Sequence, residues 1–441
     1  MVKTKNILVW IYLLPLGLAM SVRAESPGYE DLFMKIDQDL SCQFRLLAFG
    51  MTTGVADTTR NPDNHIMRLP SSTSAGNFRP DCTFNVDRLS LLLQPRFDIT
   101  WEKWTEGDQE GDDRWRDEAY IYQWLARYRF SDTLYVSYGR ENLQWGPSSL
   151  TSLSNPFFRD NGKGNPKAEV ATTDFARSVW VPNKTWSVSF IANTSPGRMD
   201  IADQDFSRSY ALKTDYTGSA DYGSLIFTTA DNGPYQVSGY LGSTVSDALL
   251  IYAESVLQHG TTGLYPYRDD ANSLGYVMNT TNRSNNEWTG SFLAGTSYTL
   301  ESNPTLTLEY LHYGPGYNSC ESEGFFNLQE HSAEAITQGS AATASAYQQL
   351  AKTADPGLRF LRQNYLMLQY VHPDIADVVN LTLRWTQNID DGSSRMTLIG
   401  DWFVGDHLQL FAVGTWDNGR DHSEYGSIID YQLTMGLMYV F

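Results

Sequence analysis

The chain has 441 residues, 41% of them hydrophobic and 13% aromatic, with a formal net charge of −19 at pH 7. Such acidity argues against a nucleic-acid partner, because neutralising a phosphate backbone needs a basic face. No stretch approaches the ~18 consecutive apolar residues of a spanning helix, so helical membrane insertion is excluded as well.

Lys3 and Lys5 precede an apolar run from Ile7 to Met20, which ends at Ser21-Val-Arg-Ala24. A charged start, an apolar middle and a small residue at the cut read as a secretory signal peptide over residues 1–24. The leader holds three cations, Lys3, Lys5 and Arg23, so the mature chain stands three charges more negative than −19. Residues 25–42 are read as a short periplasmic segment and 43–441 as one barrel domain.

From residue 43 onward, period-two alternation recurs between turn residues. Leu89, Leu91, Leu93, Phe97, Ile99 and Trp101 alternate with Arg88, Ser90, Gln94, Arg96, Asp98 and Glu102. Tyr120, Tyr122, Trp124, Ala126, Tyr128 and Phe130 alternate with Gln123, Arg127 and Arg129. Leu306, Leu308 and Tyr310 oppose Thr305, Thr307 and Glu309, while Leu381, Leu383 and Trp385 oppose Asn380, Thr382 and Arg384. Aromatic residues close many of these rows, as the interface girdles of a transmembrane barrel require. The segments 43–54, 88–104, 116–130, 133–144, 171–181, 185–194, 208–217, 221–230, 234–245 and 248–258 read as strands, as do 287–300, 304–314, 360–372, 376–388, 393–404, 407–417 and 427–441.

Single-chain bacterial barrels have an even number of strands, with short periplasmic turns and longer outer loops. Counting back from Phe441, the short connections at 182–184, 246–247, 302–304, 372–374 and 405–406 fall on one rim. The long ones at 105–115, 145–170, 259–286 and 315–359 fall on the other. Parity then demands one further strand within 55–87, although no alternation is visible there. The expected fold is all-β, a transmembrane antiparallel β-barrel of eighteen strands, with sixteen as the alternative.

Cys42 and Cys82 would both lie at the periplasmic rim, where a disulfide is chemically permitted, the alternative being two unpaired thiols. Cys320 is left over in a long outer loop. The seven histidines are scattered, with no HExxH, CxxC, nucleotide loop or nucleophile elbow, so neither enzyme activity nor a metal or other cofactor is expected. The acidic run 106–113 does not match an EF-hand spacing and reads as a solvated loop. The Ala-rich stretch within 332–350 is helix-prone and, folded inward, would constrict the lumen; the alternative is a surface loop.

Charge on the lumen-facing phase points to function. Arg88, Arg96, Arg127, Arg129 and Arg177 come from early strands and Arg384 and Arg395 from late ones, so barrel closure gathers them into one basic wall. Glu254 and Glu309, on middle strands, would lie opposite. Opposed charges across a lumen orient and filter polar solutes, although inter-strand salt bridging is the alternative use. Arg140 points outward by strict alternation from Tyr138 unless Gly139 bulges the strand.

The closing strand alternates Tyr431, Leu433, Met435, Leu437, Tyr439 and Phe441 with Gln432, Thr434 and Gly436. Its terminal Phe441, with Tyr439, resembles the assembly signal of bacterial outer-membrane barrels, which implies the barrel-assembly machinery as a partner. The string from Tyr138-Gly-Arg140 through Trp145-Gly-Pro147 to Asn155-Pro156 resembles the Gly-Arg…Trp-Gly segment of alginate-export and related porin-like barrels. Trp145-Gly-Pro147 with Ser149-Leu150 and Ser154-Asn155 also resembles the capsule-assembly barrels. The resemblance implies a bacterial outer-membrane location, in contact with lipid and lipopolysaccharide, and a channel for small polar or anionic solutes. The alternative it carries is a surface barrel that binds or exports polysaccharide, with Arg140, Trp145, Phe157 and Asn155 as ligand contacts.

Overall fold

The computed structural model describes residues 39–198, 206–231, 233–279 and 287–441; the predicted leader and most of the 25–42 segment lie outside them. Eighteen strands form one sheet. They are β1 (Leu40–Val55), β2 (Ser72–Val86), β3 (Leu89–Lys103), β4 (Asp113–Ser131), β5 (Leu134–Glu141), β6 (Thr172–Trp180), β7 (Trp186–Arg198), β8 (Ser209–Thr217) and β9 (Asp221–Ala230). β10 (Tyr235–Ser246) and β11 (Leu249–His259) follow, then a separate ribbon of β12 (Tyr265–Arg268) and β13 (Tyr276–Asn279). The barrel resumes with β14 (Trp288–Thr299), β15 (Thr305–Tyr313), β16 (Asn364–Ile375), β17 (Val379–Asn388), β18 (Ser394–Val404), β19 (Leu408–Asn418) and β20 (Ile429–Val440).

Neighbouring barrel strands pair antiparallel, and β20 pairs with β1 from Arg45 opposite Val440 to Val55 opposite Ile429. The sheet is therefore closed and has no free edge, the condition for a sheet to sit in lipid. The expected eighteen-stranded antiparallel barrel is the observed one. The strand inferred from parity alone is β2, which carries Cys82, and a disulfide joins Cys82 to Cys42 on β1.

The alternation has the energetic sense expected of a wall between lipid and water. Phe97, Ile99, Phe190, Leu225, Phe227, Leu241, Phe292 and Met435 are exposed on the outside, where lipid replaces water. Trp101 and Trp115 form a ring pair near the loop rim, and Tyr128 with Phe130 another near the turn rim, in the manner of girdles.

The expected row on β4 differs in one place. Its register against β3 shifts at Gln94/Pro95, so that Tyr122 is bulged and Ile121 takes the outward place. Tyr120 and Tyr122 therefore face inward, where Tyr120 donates to Asp98 and Tyr122 lies under Arg96. Pro95 has no N–H for the ladder, and a bulge accommodates that loss.

The long connections fold over the loop rim. The Ala-rich stretch is helical, as α1 (Ser319–Thr337) and α2 (Thr343–Ala354). Asn318 and Glu321 form a reciprocal capping box that starts α1. The two helices pack on each other and on the β12–β13 ribbon, burying Tyr265, Leu274, Met278, Phe325, Phe326 and Ala346 in one apolar cluster. Arg60, from the 56–71 loop, lies 4.6 Å over the Phe326 ring and donates to Gln329 at 2.5 Å. The helices thus knit outer loops together, and it is another segment that enters the lumen.

Candidate solute pathway in the lumen

That segment is 142–171, which leaves β5, crosses the lumen and returns at β6. Two carboxylates on the inner wall hold it. Glu309 on β15 accepts from the Ser149 amide at 2.6 Å, the Leu150 amide at 2.8 Å, the Ser148 hydroxyl at 2.9 Å and the Tyr252 hydroxyl at 2.5 Å. Glu254 on β11 accepts from the Ser148 amide at 3.3 Å and from the Ser154 amide and hydroxyl, each at 3.1 Å. Both residues are buried, and amide and hydroxyl donors compensate the desolvation of the carboxylates.

Small residues let the backbone come this close. Gly146 has φ +91°, and a Cβ there would lie 2.4 Å from a Glu254 carboxylate oxygen. Asn155 then pins the turn, donating to the Leu143 carbonyl at 2.7 Å and accepting from the Phe157 amide at 3.0 Å. Leu143, Phe157 and Phe158 pack on Phe175, Ile191, Ala211 and Ile226 of the inner wall, with Trp145 against them. One flank of the lumen is thereby filled.

The far part of the segment reaches the opposite wall. Lys167 pairs with Asp401 on β18 at 2.7 Å, and Glu169 pairs with Arg96 on β3 at 2.6 Å. Arg96 also meets Asp81 on β2 at 3.0 Å; Asp81 pairs with Arg45 on β1, and Arg79 stands 3.9 Å from Glu169. Arg384 on β17 donates to Gln369 at 2.6 Å and to the Lys163 carbonyl at 3.1 Å. Lys163 in turn donates to the Ser148 carbonyl at 2.6 Å. Arg45, Arg79, Arg96, Lys163, Lys167 and Arg384 thus gather around this narrowing with Asp81, Asp98, Glu169 and Asp401, while Glu254, Glu309 and Asp160 lie close enough to act on Lys163 or Arg384.

The basic wall expected from sequence is distributed along the lumen. Arg96 and Arg384 belong to the narrowing. Arg88, Arg127 and Arg129 stand at the turn rim, where Arg88 donates to the Phe130 carbonyl and Arg127 lies 5.3 Å from the Tyr135 ring. Arg177 pairs with Glu141 at 3.1 Å, and Arg395 pairs with Asp417 at 2.6 Å near the loop rim. Glu254 and Glu309 are spent on the inserted segment and do not face Arg96 across open water.

The β4–β5 register is unbroken at Gly139, so Arg140 takes the outward phase and pairs with Asp174 at 2.8 Å. Trp145, Phe157 and Asn155 belong to the packing of the inserted segment. Arg45, Arg79, Lys163, Lys167 and Glu169 escaped the sequence reading. The last three lie in a segment with no periodicity, and β2 showed no alternation that would set a phase for Arg79.

No protein family and no curated protein matches the chain. Solved structures do. Outer membrane protein OprD of Pseudomonas aeruginosa is similar with a TM-score of 0.53 at 8% identity, over 92% of this chain and 94% of that one. OccK11 (OpdR) of the same organism gives 0.55 at 13%, over 92% and 96%. OpdQ, also of Pseudomonas aeruginosa, gives 0.52 at 11%, over 91% and 99%. At these identities the likeness is one of fold, and the chain is a closed eighteen-stranded β-barrel of the outer-membrane type.

Proposed function

We propose that the chain is a bacterial outer-membrane channel for small polar solutes, with a preference for anions. The observation that carries this reading is the narrowing itself. A segment anchored by Glu254 and Glu309 fills one flank of the lumen, and Arg96, Lys163, Lys167 and Arg384 stand where it reaches the opposite wall. Fixed charge at close quarters filters ions by sign, and the rigid anchoring holds that charge in place. No covalent step is required of any residue.

The polysaccharide-binding or alginate-export alternative asks for aromatic faces open to sugars. Trp145 and Phe157 are edge-packed on each other, with centroids 6.0 Å apart, and Phe157 packs on Phe175 at 4.9 Å. This packing favours the channel. The test is the reversal potential of the refolded chain in a planar bilayer under a salt gradient. The wild type should favour the anion, and the double exchange Lys163→Glu with Lys167→Glu should reverse the sign. An unchanged reversal potential would overturn the anion preference.

A further inference from the structure

Apart from the charged narrowing, the lumen holds a second compartment of different chemistry. A cavity of about 780 Å³ lies on the loop side of the inserted segment, against the inner faces of β7 to β15. Four residues of its wall form one continuous row. Thr228 on β9 is the register partner of Gln236 on β10, Gln236 of Gln258 on β11, and Gln258 of Thr289 on β14. Strands lie roughly 4.8 Å apart, so the row is a ladder of hydroxyl and amide groups. Asn193 and Ser209, partners on β7 and β8, extend the same chemistry sideways.

The charged groups among the described lining residues are Arg159, Asp160 and Arg359. Arg159 pairs with Asp355 at 2.6 Å, and Asp160 accepts from the Gly162 amide at 2.8 Å. Arg359 donates to the backbone carbonyls of Ser152, Arg159 and Asn155. The Thr228 hydroxyl is the opposite case. It is buried, with the residue 7% exposed, and it has no hydrogen-bond partner among the described residues. An unmet desolvated hydroxyl carries a cost, which a rotation of the side chain toward a ligand donor or acceptor in the cavity would remove. Phe157 and Phe158 supply an apolar border to the same space.

We infer that this cavity binds a neutral, hydroxyl-rich solute of oligosaccharide size, held by the Thr228–Gln236–Gln258–Thr289 row. The row of neutral donors and acceptors recognises hydroxyls by geometry and offers no counter-charge along its own length. The inference rests on the reading of the lumen as a solute pathway only in that the ligand enters from the loop rim.

The test is calorimetric titration of the refolded full chain in detergent micelles, with maltotriose as the neutral probe and a trimer of uronic acid as the charged one. Maltotriose should bind, the charged trimer should bind at least ~10-fold more weakly, and Thr228→Val or Gln236→Leu should each weaken maltotriose at least ~5-fold. Unaltered heat-modifiable gel mobility confirms that each variant is folded. Absence of maltotriose binding, equal binding of the charged trimer, or indifference to both substitutions would overturn the inference. A chain that binds maltotriose but conducts no ions would overturn the channel reading alone. A chain that conducts but binds none would overturn this inference alone.

Discussion

Glu309 gathers two backbone amides and one hydroxyl of the inserted segment, together with the Tyr252 hydroxyl of β11, on one carboxylate. Removing the carboxylate strands four donors in a buried site, and unmet buried donors cost about 1–3 kcal/mol each before the site relaxes. Glu309→Ala should therefore detach the segment while leaving the barrel ladder intact. Larger single-channel steps and new protease cleavage within 142–171 are the expected readouts; steps of wild-type size would show that the segment stays in place without this anchor.

Glu424, in the 419–428 loop, is a second telling residue. Its carboxylate accepts from the Leu361 amide at 3.2 Å, from the Asn388 side chain at 2.8 Å and from the Tyr365 hydroxyl, joining three outer connections. Burial pushes its carboxyl up to about 7, against its hydrogen bonds, with nearby Asp391 adding to the rise. A carboxyl raised in the folded state contributes stability below its ordinary value of 4.5 and loses it as pH rises through about 7. The amount at stake is about 3 kcal/mol at most. Protease cleavage of the outer loops should accelerate between pH 5 and 8.5, and Glu424→Gln should flatten that dependence. A wild-type rate that does not change with pH would contradict this assignment.

Among the elements, the disulfide and its strand make a linked case. Cys42 and Cys82 close a stretch with a sequence separation of 40, and the chain-entropy account assigns such a cross-link about 4 kcal/mol. Reduction, or the pair Cys42→Ser with Cys82→Ser, should lower the temperature at which the barrel loses its folded gel mobility. An unshifted transition would mean that β1–β2 pairing alone sets the local barrier. Most barrel strands were legible in the sequence because lipid enforces strict alternation on every outward row.

β2 was legible only by parity. Its outward phase runs Ser74, Gly76 and Phe78, meets Pro80, and resumes at Cys82, Phe84 and Val86, so no apolar row survives. The inserted segment was hidden for a different reason. Glu254 and Glu309 could be placed on the lumen phase, but four of their partners are backbone amides, which leave no side-chain signature. The remaining trace is the run of Gly146, Ser148, Ser149 and Ser154, residues small enough for a main chain to reach a carboxylate. Tyr120 and Tyr122 were assigned to the wrong face because a bulge resets the phase without altering the local composition.

Across the whole molecule, the closed sheet supplies a wall, the outer loops supply a packed cap, and one segment converts a wide lumen into a narrow one. Eighteen strands enclose a water-wide interior unless something fills it, and the inserted segment fills part of this one. The net charge of −19 says little about the narrowing, where cations and acids from several strands and the inserted segment meet. The current through single refolded barrels in a planar bilayer tests the account most directly. Discrete steps that scale with salt and carry anions in excess are the predicted result. A correctly folded barrel that stays silent across salt and voltage would contradict it, and would mean that the inserted segment closes the lumen.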